Sequence, residues 1–373
     1  KSGWKVVPGW PQTFTKVGAL GKPIFLTVYV DDMVMAGPGH KREWPRIREL
    51  VKTSIPTQVD RILGVNVTTS RLDGYKTAIS MDMEKYSIQT VEMFKAVAKA
   101  PALSTRVSAP WYEPSMAEVK DLGSKTDNTI FGKHSASLLM KALYLARMVR
   151  MDLCYSINAL AKYISKWNQL CDKQLTHLFS YIQNSAKTKM EGVVDSRDLD
   201  SLTLCAYPDA DLCGSVDSTR STSGGFLCIT GDHGTFMQLD WFSKRQAATS
   251  HSTSESEMVA LSKILREYLV PQQGLWSVML GRDIKGVLFE DNTATIKIAQ
   301  SGFSQQLRHM AKHHRISLGL VHEFINHPDL DLLHIETTKQ KGDLFTKGLS
   351  PAKHIEAMKL VRLLGGLALF VRF

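Results

Sequence analysis

Two sets of carboxylates in this sequence are placed where they could do chemistry. Asp31 and Asp32 are adjacent inside an apolar, β-branched run, with Ile24-Phe25-Leu26-Thr27-Val28-Tyr29-Val30 before them and Met33-Val34-Met35-Ala36 after. Each flank reads as a short strand, so the pair sits at a hairpin turn. Like charges at one turn repel, and a divalent cation held by one or two carboxylates plus substrate phosphates removes that cost. An ordinary Asp-rich turn accounts for the same pattern. The second set is Asp209, Glu257, Asp291 and Asp343. Singly, each has a bland use: Ser254-x-x-Glu257 fits a capping box, and an Asp at a helix start is a cap or dipole partner. Jointly they fall at strand ends and helix starts, where side chains converge over one end of a sheet. About four such acids suit a pair of cations ~3.5–4 Å apart that hydrolyses a phosphodiester.

The elements that must position these acids follow from hydrophobic period and turn chemistry. In the first 70 residues the hairpin around Asp31 is followed by a helix over about 43–53 and a strand over 61–67. A D-G turn lies at Asp73-Gly74, and a helix over about 81–97 follows. Pro101, Pro110, Pro114, Gly123 and Gly132 break any period, so 101–135 reads as a linker or long loop. Apolar stripes resume at Leu138, Leu139 and Ala142 and run through Ile157, Leu160, Leu175 and Leu178 as core-facing helices. From about 201, strands precede helices: strands over 202–207, 222–229 and 241–246, then a helix opening at Ser254. A strand over 286–289, a helix over 294–300, a strand over 332–335 and a helix opening at Asp343 follow.

Composition narrows the partners. The chain has 373 residues, enough for two or three domains with real cores. Its net charge of +10 and isoelectric point near 9.2 favour a polyanion, of which nucleic acid is the obvious one. The cysteines Cys154, Cys171, Cys205, Cys213 and Cys228 are odd in number and lack C-x-x-C spacing. A disulfide framework or structural zinc is therefore not expected, and a reducing, intracellular setting is. No charged-then-apolar leader opens the sequence, so no secretory signal is expected. The apolar run 363–371 is too short to span a bilayer as a helix, and a packed or frayed terminus is expected there, with no membrane partner.

The sequence resembles the Pol polyprotein of copia-type LTR retrotransposons, over about 25–355. TVYVDDMVMAG resembles the palm motif of their reverse transcriptases, and Arg61-Ile62-Leu63-Gly64-Val65-Asn66-Val67 the strand after it. PDADLCGSVDSTRSTSGGF, WFSKRQ, ATSHSTSESEMVALS, EDNTATIKIA and KQKGDLFTKGL resemble, in order, the motifs of the family's RNase H domain. The resemblance implies an α+β fold, a partial reverse transcriptase palm and thumb, followed by an α/β RNase H-like domain with a mixed five-stranded sheet. It implies a partial palm at 1–100, the linker at 101–135, thumb and connection helices at 136–195, the RNase H-like domain at 200–355 and a C-terminal tail at 356–373. By resemblance Asp31 and Asp32 bind metal in the polymerase, and Asp209, Glu257, Asp291 and Asp343 are the RNase H acids. Asp211, Glu255 and Glu290 rank below them. Two Mg²⁺ ions, with Mn²⁺ as substitute, are the implied cofactors.

The implied partners are an RNA–DNA hybrid, template-primer nucleic acid and other Pol or Gag products of the element. Lys244, Arg245, Arg308, Lys312, Arg315, Lys339 and Lys341 are the candidate phosphate contacts. A cytoplasmic, particle-associated location with nuclear access is implied as well. The match also departs from the family. Thirty residues precede Asp31, and they contain neither the earlier palm Asp nor the glutamine-containing nucleotide-pocket motif. The expectation is a C-terminal or truncated copy whose RNase H set is complete and whose polymerase is a remnant. Of the usual KHIDIRYHF segment only Lys312-His313 and a few apolar positions remain, and the loop 337–342 lacks the histidine of cellular RNase H enzymes. His313 and His314 are further candidates for phosphate contact. A catalytically inactive nucleic-acid-binding relic, and a polymerase active once the missing palm and fingers are supplied, stand as alternatives.

Overall fold

The computed structural model describes residues 3–18, 20–97, 99–214 and 219–365. The chain opens with an antiparallel sheet of β1 (Lys5–Val7), β2 (Trp10–Val17), β3 (Pro23–Tyr29) and β4 (Asp32–Ala36), in that order. Its small core is Ile24, Leu26, Met35 and Ile47, the last from α1 (Trp44–Leu50). The helix expected to reach 53 ends at Leu50, because Val51 is already extended. The strand expected over 61–67 is a tight hairpin instead. Leu63 and Gly64 both take positive φ (49° and 79°) between β5 (Arg61–Ile62) and β6 (Val65–Arg71). β7 (Lys76–Asp82) pairs with β6 across the D-G turn, where Asp73 Oδ1 accepts from the amides of Tyr75 and Lys76.

Helices α2 (Glu84–Lys95), α3 (Met116–Leu122), α4 (Ser135–Met148), α5 (Cys154–Ala161) and α6 (Gln169–Asn184) come next. The stretch read as linker contains α3, which Ser115 and Glu118 start with a reciprocal capping box. β8 (Lys189–Asp195) then pairs antiparallel along β7. The larger sheet continues with β9 (Thr203–Asp211), β10 (Thr222–Thr230) and β11 (Phe236–Arg245), successive antiparallel neighbours. α7 (Thr253–Ile264) and α8 (Val270–Leu280) lead to β12 (Lys285–Glu290), which lies parallel to β9. α9 (Thr293–Ser301), α10 (Met310–His313) and α11 (Leu318–Ile325) precede β13 (Leu330–His334), parallel to β12. The order β13-β12-β9-β10-β11 is the mixed five-stranded sheet expected of the second half. A bridge between Phe236 and Val193 extends it through β8 to β7, β6 and β5.

Alternation along β9 feeds two cores. Leu204 and Ala206 pack with Leu227, Phe242, Met258 and Leu261 on the α7 face. Cys205 and Tyr207 pack with Phe226, Phe345 and the α4 and α6 helices on the other. Both faces are covered, so these strands are apolar in both registers. Residues 356–365, read from sequence as the start of a tail, belong to α12 (Pro351–Leu360) and β14 (Leu363–Leu364), which pairs with β8. Ala357, Met358, Val361 and Leu363 are buried in the second core. Residues 366–373, with most of the 363–371 run, lie outside the described residues. Among the described residues no helix is long and apolar enough to cross a membrane.

A buried polar network crosses the helical side. Arg150 makes a bidentate pair with Asp152 (3.0 and 2.8 Å) and donates to the Ser185 carbonyl, while Tyr181 donates to Asp152 Oδ2 (2.8 Å). The side chains of Arg150 and Asp152 are 1% and 0% exposed. Removing one partner strands the other charge, so Arg150→Met is expected to cost about 3–5 kcal/mol of stability. Urea unfolding measures this, and a loss below about 1 kcal/mol would mean the network relaxes around the change.

Candidate active site

Three carboxylates meet at the end of the five-stranded sheet. Ligand oxygens of Asp209, Glu257 and Asp291 all lie within 4.8 Å of one another. The sequence places the end of the first strand before Asp209, but pairing of Thr222 with Asp211 carries β9 through it. Asp209 therefore stands on a rigid strand and is 1% exposed. Asp291 directly follows β12 and is half-buried. Glu257 projects from the first turns of α7 and is 4% exposed. The capping box that Ser254-x-x-Glu257 fits as a bland alternative does not form. Ser252 caps this helix, its hydroxyl accepting from the Glu255 amide, which leaves Glu257 free of that duty.

The fourth acid arrives from the C-terminal side. Asp343 lies in a short 3-10 turn, Lys341–Phe345, rather than in the helix expected to open there. That turn rides directly on β9 and β10, which needs glycine at two places. A Cβ on Gly342 would come 2.6 Å from Asp209 Cβ, and one on Gly224 would come 2.6 Å from Thr346 Cγ2. Lys347 bridges the segment to the site, with its Nζ 2.5 Å from Asp343 Oδ1 and 3.6 Å from Asp209 Oδ2. The Thr346 hydroxyl donates to Asp209 Oδ2.

Electrostatics show how costly this gathering is. Burial, with Asp343 and Asp291 adding repulsion against the pull of Lys347, pushes Asp209 up to about 7. Burial and then Asp209, Glu290 and Asp291 push Glu257 up to about 11. Glu290, fully buried at the end of β12, is raised well above its ordinary value, chiefly by desolvation. Lys347 rises although burial opposes its charge, because Asp209 and Asp343 face it. Glu257 Oε2 and Glu290 Oε2 are buried without a hydrogen-bond partner. Orphaned acceptor oxygens, clustered acids and raised proton affinities together fit a divalent cation held by Asp209, Glu257 and Asp291.

Asp31 and Asp32 are placed apart from this cluster. Val30, at φ 55°, and Asp31 form a two-residue turn between Tyr29 and Asp32, and both aspartates are exposed. The groove beside them, lined by 30–37 and 51–62, adds Asp60. Among the described residues only Asp209, Glu257 and Asp291 form a metal-capable group of three. Of the candidate phosphate contacts, Lys244, Arg308, Lys312, Arg315 and Lys339 are exposed, and Lys339 pairs with Glu336 at 3.0 Å. Arg245 is half-buried beside Trp111 and Tyr155. Lys341 turns inward instead: its ammonium sits 4.0 Å over the Tyr207 ring, and burial lowers its pKa. His314 is also turned inward, onto Glu255 Oε1 at 2.8 Å, because the buried carboxylate needs a donor more than solvent needs an imidazole. His313 donates to the Thr249 carbonyl. Sequence reasoning missed Lys347 and Thr346. The i,i+4 spacing of Asp343 and Lys347 was the available signal.

The folded, metal-free protein keeps protons on Asp209 and Glu257 that the unfolded chain releases near 3.8 and 4.5. Their contribution to stability is present below those values and is lost as pH rises, through about 7 for Asp209 and on toward about 11 for Glu257. The metal-free melting temperature is expected to fall from about pH 5 to 8, with Asp209→Asn flattening the decline and millimolar Mg²⁺ reversing it at pH 8. A wild-type profile that matches Asp209→Asn and ignores Mg²⁺ would contradict this account of the site.

No protein-family profile matches the sequence. Among characterised proteins, it is 24% identical over 333 residues to the retrovirus-related Pol polyprotein from transposon RE1 of Arabidopsis thaliana, covering 88% of this chain and 21% of that protein. It is 20% identical over 334 residues to the Pol polyprotein from transposon TNT 1-94 of Nicotiana tabacum, covering 87% and 23%. The chain spans about a fifth of the length of these relatives. Among solved structures, LC11-RNase H1 in complex with an RNA/DNA hybrid aligns at 14% identity and a TM-score of 0.29, over 39% of this chain and 94% of that one. The chain is thus similar, along most of its length, to Pol polyproteins of copia-type transposons.

Proposed function

We propose that this chain is a C-terminal part of a retrotransposon Pol polyprotein and that its second half, about 200–355, hydrolyses the RNA strand of RNA–DNA hybrids. The observation that carries the reading is the convergence of buried Asp209 and Glu257 with half-buried Asp291 within 4.8 Å, an acceptor oxygen of Glu257 being left unpartnered. Asp343 completes the set of four through Lys347. Such crowded, proton-loving carboxylates have no structural use that an apolar cluster would not serve better.

In this reading Asp209, Glu257, Asp291 and Asp343 hold Mg²⁺, with Mn²⁺ as a substitute. When bound, the metal supplies a more acidic attacking water and countercharge for the leaving 3′ oxygen. The chain's own groups prepare the site. Thr346 fixes the Asp209 carboxylate on its strand, and Lys347 offsets its charge and that of Asp343. Asp209 sits on a rigid strand and Asp291 directly follows one, which positions them more firmly than a long loop would. Lys244, Arg308, Lys312, Arg315 and Lys339 offer positive charge to the backbone phosphates, which set affinity without reading sequence. The 2′-hydroxyls of the RNA strand distinguish hybrid from DNA duplex.

The first half belongs to the same proposal as a palm remnant at 1–100, with thumb and connection helices at 136–195. Polymerisation is not assigned to this chain. Asp31 and Asp32 are solvated on a hairpin, and among the described residues no third acid joins them in a metal-capable group. A reducing, intracellular setting suits its five cysteines, which form no disulfide among the described residues and four of which are buried.

Purified chain with labelled hybrid and Mg²⁺ is expected to release RNA fragments bearing 5′-phosphates. Asp291→Asn should lower this rate by at least about 100-fold, beyond the roughly 10–100-fold typical of groups that only support a ligand. Hybrid left intact by the wild type at every Mg²⁺ or Mn²⁺ concentration would overturn the proposal. The double change Asp31→Asn with Asp32→Asn should leave cleavage within about twofold, as for surface substitutions worth about 0.5 kcal/mol. A larger drop would tie the hairpin to the same chemistry.

A further inference from the structure

Glu255 lies two residues before Glu257 on α7, so its side chain leaves the helix on nearly the opposite side. Its carboxylate is fully buried. The donors are imidazoles and an amide. His309 Nε2 is 2.9 Å and His314 Nε2 2.8 Å from Oε1, and the His251 amide donates to Oε2 at 2.9 Å. His313, from the same short segment, donates to the Thr249 carbonyl at 3.0 Å. The stretch 307–316 is thereby tied by three side-chain hydrogen bonds to 249–255, immediately before the turn that carries Glu257.

That stretch has little regular structure to hold it. It contains the single helical turn α10, and Leu307, Met310 and Ile316 are its buried anchors. Between those anchors Arg308, Lys312 and Arg315 face solvent. Arg315 adopts φ 58°, a conformation a non-glycine residue keeps only when its neighbours impose it. Arg315 directly follows His314, whose hydrogen bond to the buried Glu255 holds the backbone there, and His309, the residue after Arg308, is tied to the same carboxylate.

We infer that Glu255, His309 and His314 form a clamp of positioning residues that sets Arg308, Lys312 and Arg315 as one phosphate-binding platform at a fixed place relative to the helix bearing Glu257. The inference rests on the hybrid-cleaving reading and adds what orients the substrate. The clamp acts through the cations and touches neither substrate nor metal. Its loss is therefore felt in binding rather than in the rate of bond breaking. A platform of preset charges holds a hybrid with less ordering cost than three independent side chains.

The test compares His314→Leu, which removes the donor, with His314→Gln, whose amide can replace it. KM, kcat and the salt dependence of hybrid affinity are read for each, affinity being measured in an Asp291→Asn background. His314→Leu is expected to raise KM about tenfold or more, the effect of losing a hydrogen bond to a charged group, with kcat nearly unchanged. Its log–log salt slope should shrink by about two, as for the loss of two or three phosphate contacts. His314→Gln should restore most of both. Replacing Arg308, Lys312 and Arg315 together by alanine should match the His314→Leu defect, and adding His314→Leu to that variant should change nothing more.

Equal behaviour of the Leu and Gln variants, a fall in kcat at constant KM, or full additivity would each overturn the inference. Amide hydrogen exchange over 303–317, faster in His314→Leu alone, separates release of the segment from global unfolding. If the wild type binds hybrid but never cleaves it, the catalytic reading falls while affinity and salt slope still judge the clamp. If it binds no hybrid, both fall.

Discussion

Mutual repulsion among desolvated carboxylates at one end of a sheet is the constraint that organises this molecule. Asp209, Glu257 and Glu290 are nearly inaccessible, Asp291 adjoins them, and each raises the proton affinity of another. Left alone, such a group protonates or opens toward solvent. What holds it closed is everything packed behind it. β9 and β12 are buried on both faces, so their ends cannot splay without uncovering two apolar cores. Lys347 then offsets charge on Asp209 and Asp343 together, across a contact that glycine at 224 and 342 brings close.

The surrounding architecture reads as support for that end of the sheet. Helices α4 and α6 cover one face, and the Arg150–Asp152–Tyr181 network ties them to α12 through the Tyr181–His354 contact at 3.0 Å. α12 follows the turn that carries Asp343, so its docking fixes how far that turn reaches. β14 closes the chain against β8, on the same sheet. The strain of gathering acids is thus borne by a core spanning both halves of the sequence, rather than by the loops that carry the acids.

Short apolar runs bounded by turn and polar residues make most of this legible. Strands β9 to β13 were visible as apolar runs, and the acids at their ends were visible as interruptions of those runs. Misreadings came where a local signal competed with tertiary pairing. The strand drawn to 207 continued through Asp211 because β10 supplied a partner that no local window contains. The helix that Ser254-x-x-Glu257 could have capped starts two residues earlier, with the Ser252 hydroxyl accepting from the Glu255 amide. β-branched and apolar residues at 62, 63, 65 and 67 suggest one strand through 61–67, yet Leu63-Gly64 turns, since Gly64 accepts positive φ and Leu63 is carried with it. Lys341 looked like one more surface cation. Its seat over Tyr207 depends on how the 3-10 turn crosses β9, which composition cannot reveal.

The two acidic sites differ physically in one respect that spacing does not convey. Asp31 and Asp32 are adjacent in sequence and look the more concentrated pair, yet both are solvated at a turn, where water screens their repulsion. Asp209, Glu257 and Asp291 are separated by 48 and 34 residues in sequence, and the fold drives them together where the first two are almost wholly out of water and the third is half-buried. Screened charges have little need of a cation. Buried ones have more, because Asp209 and Glu257 lack solvent and Glu257 lacks any donor to one oxygen. Demand for a metal follows from burial and convergence rather than from the number of acids in a motif. On that ground the proposed hydrolysis is assigned to the second half of the chain rather than to its most recognisable four residues.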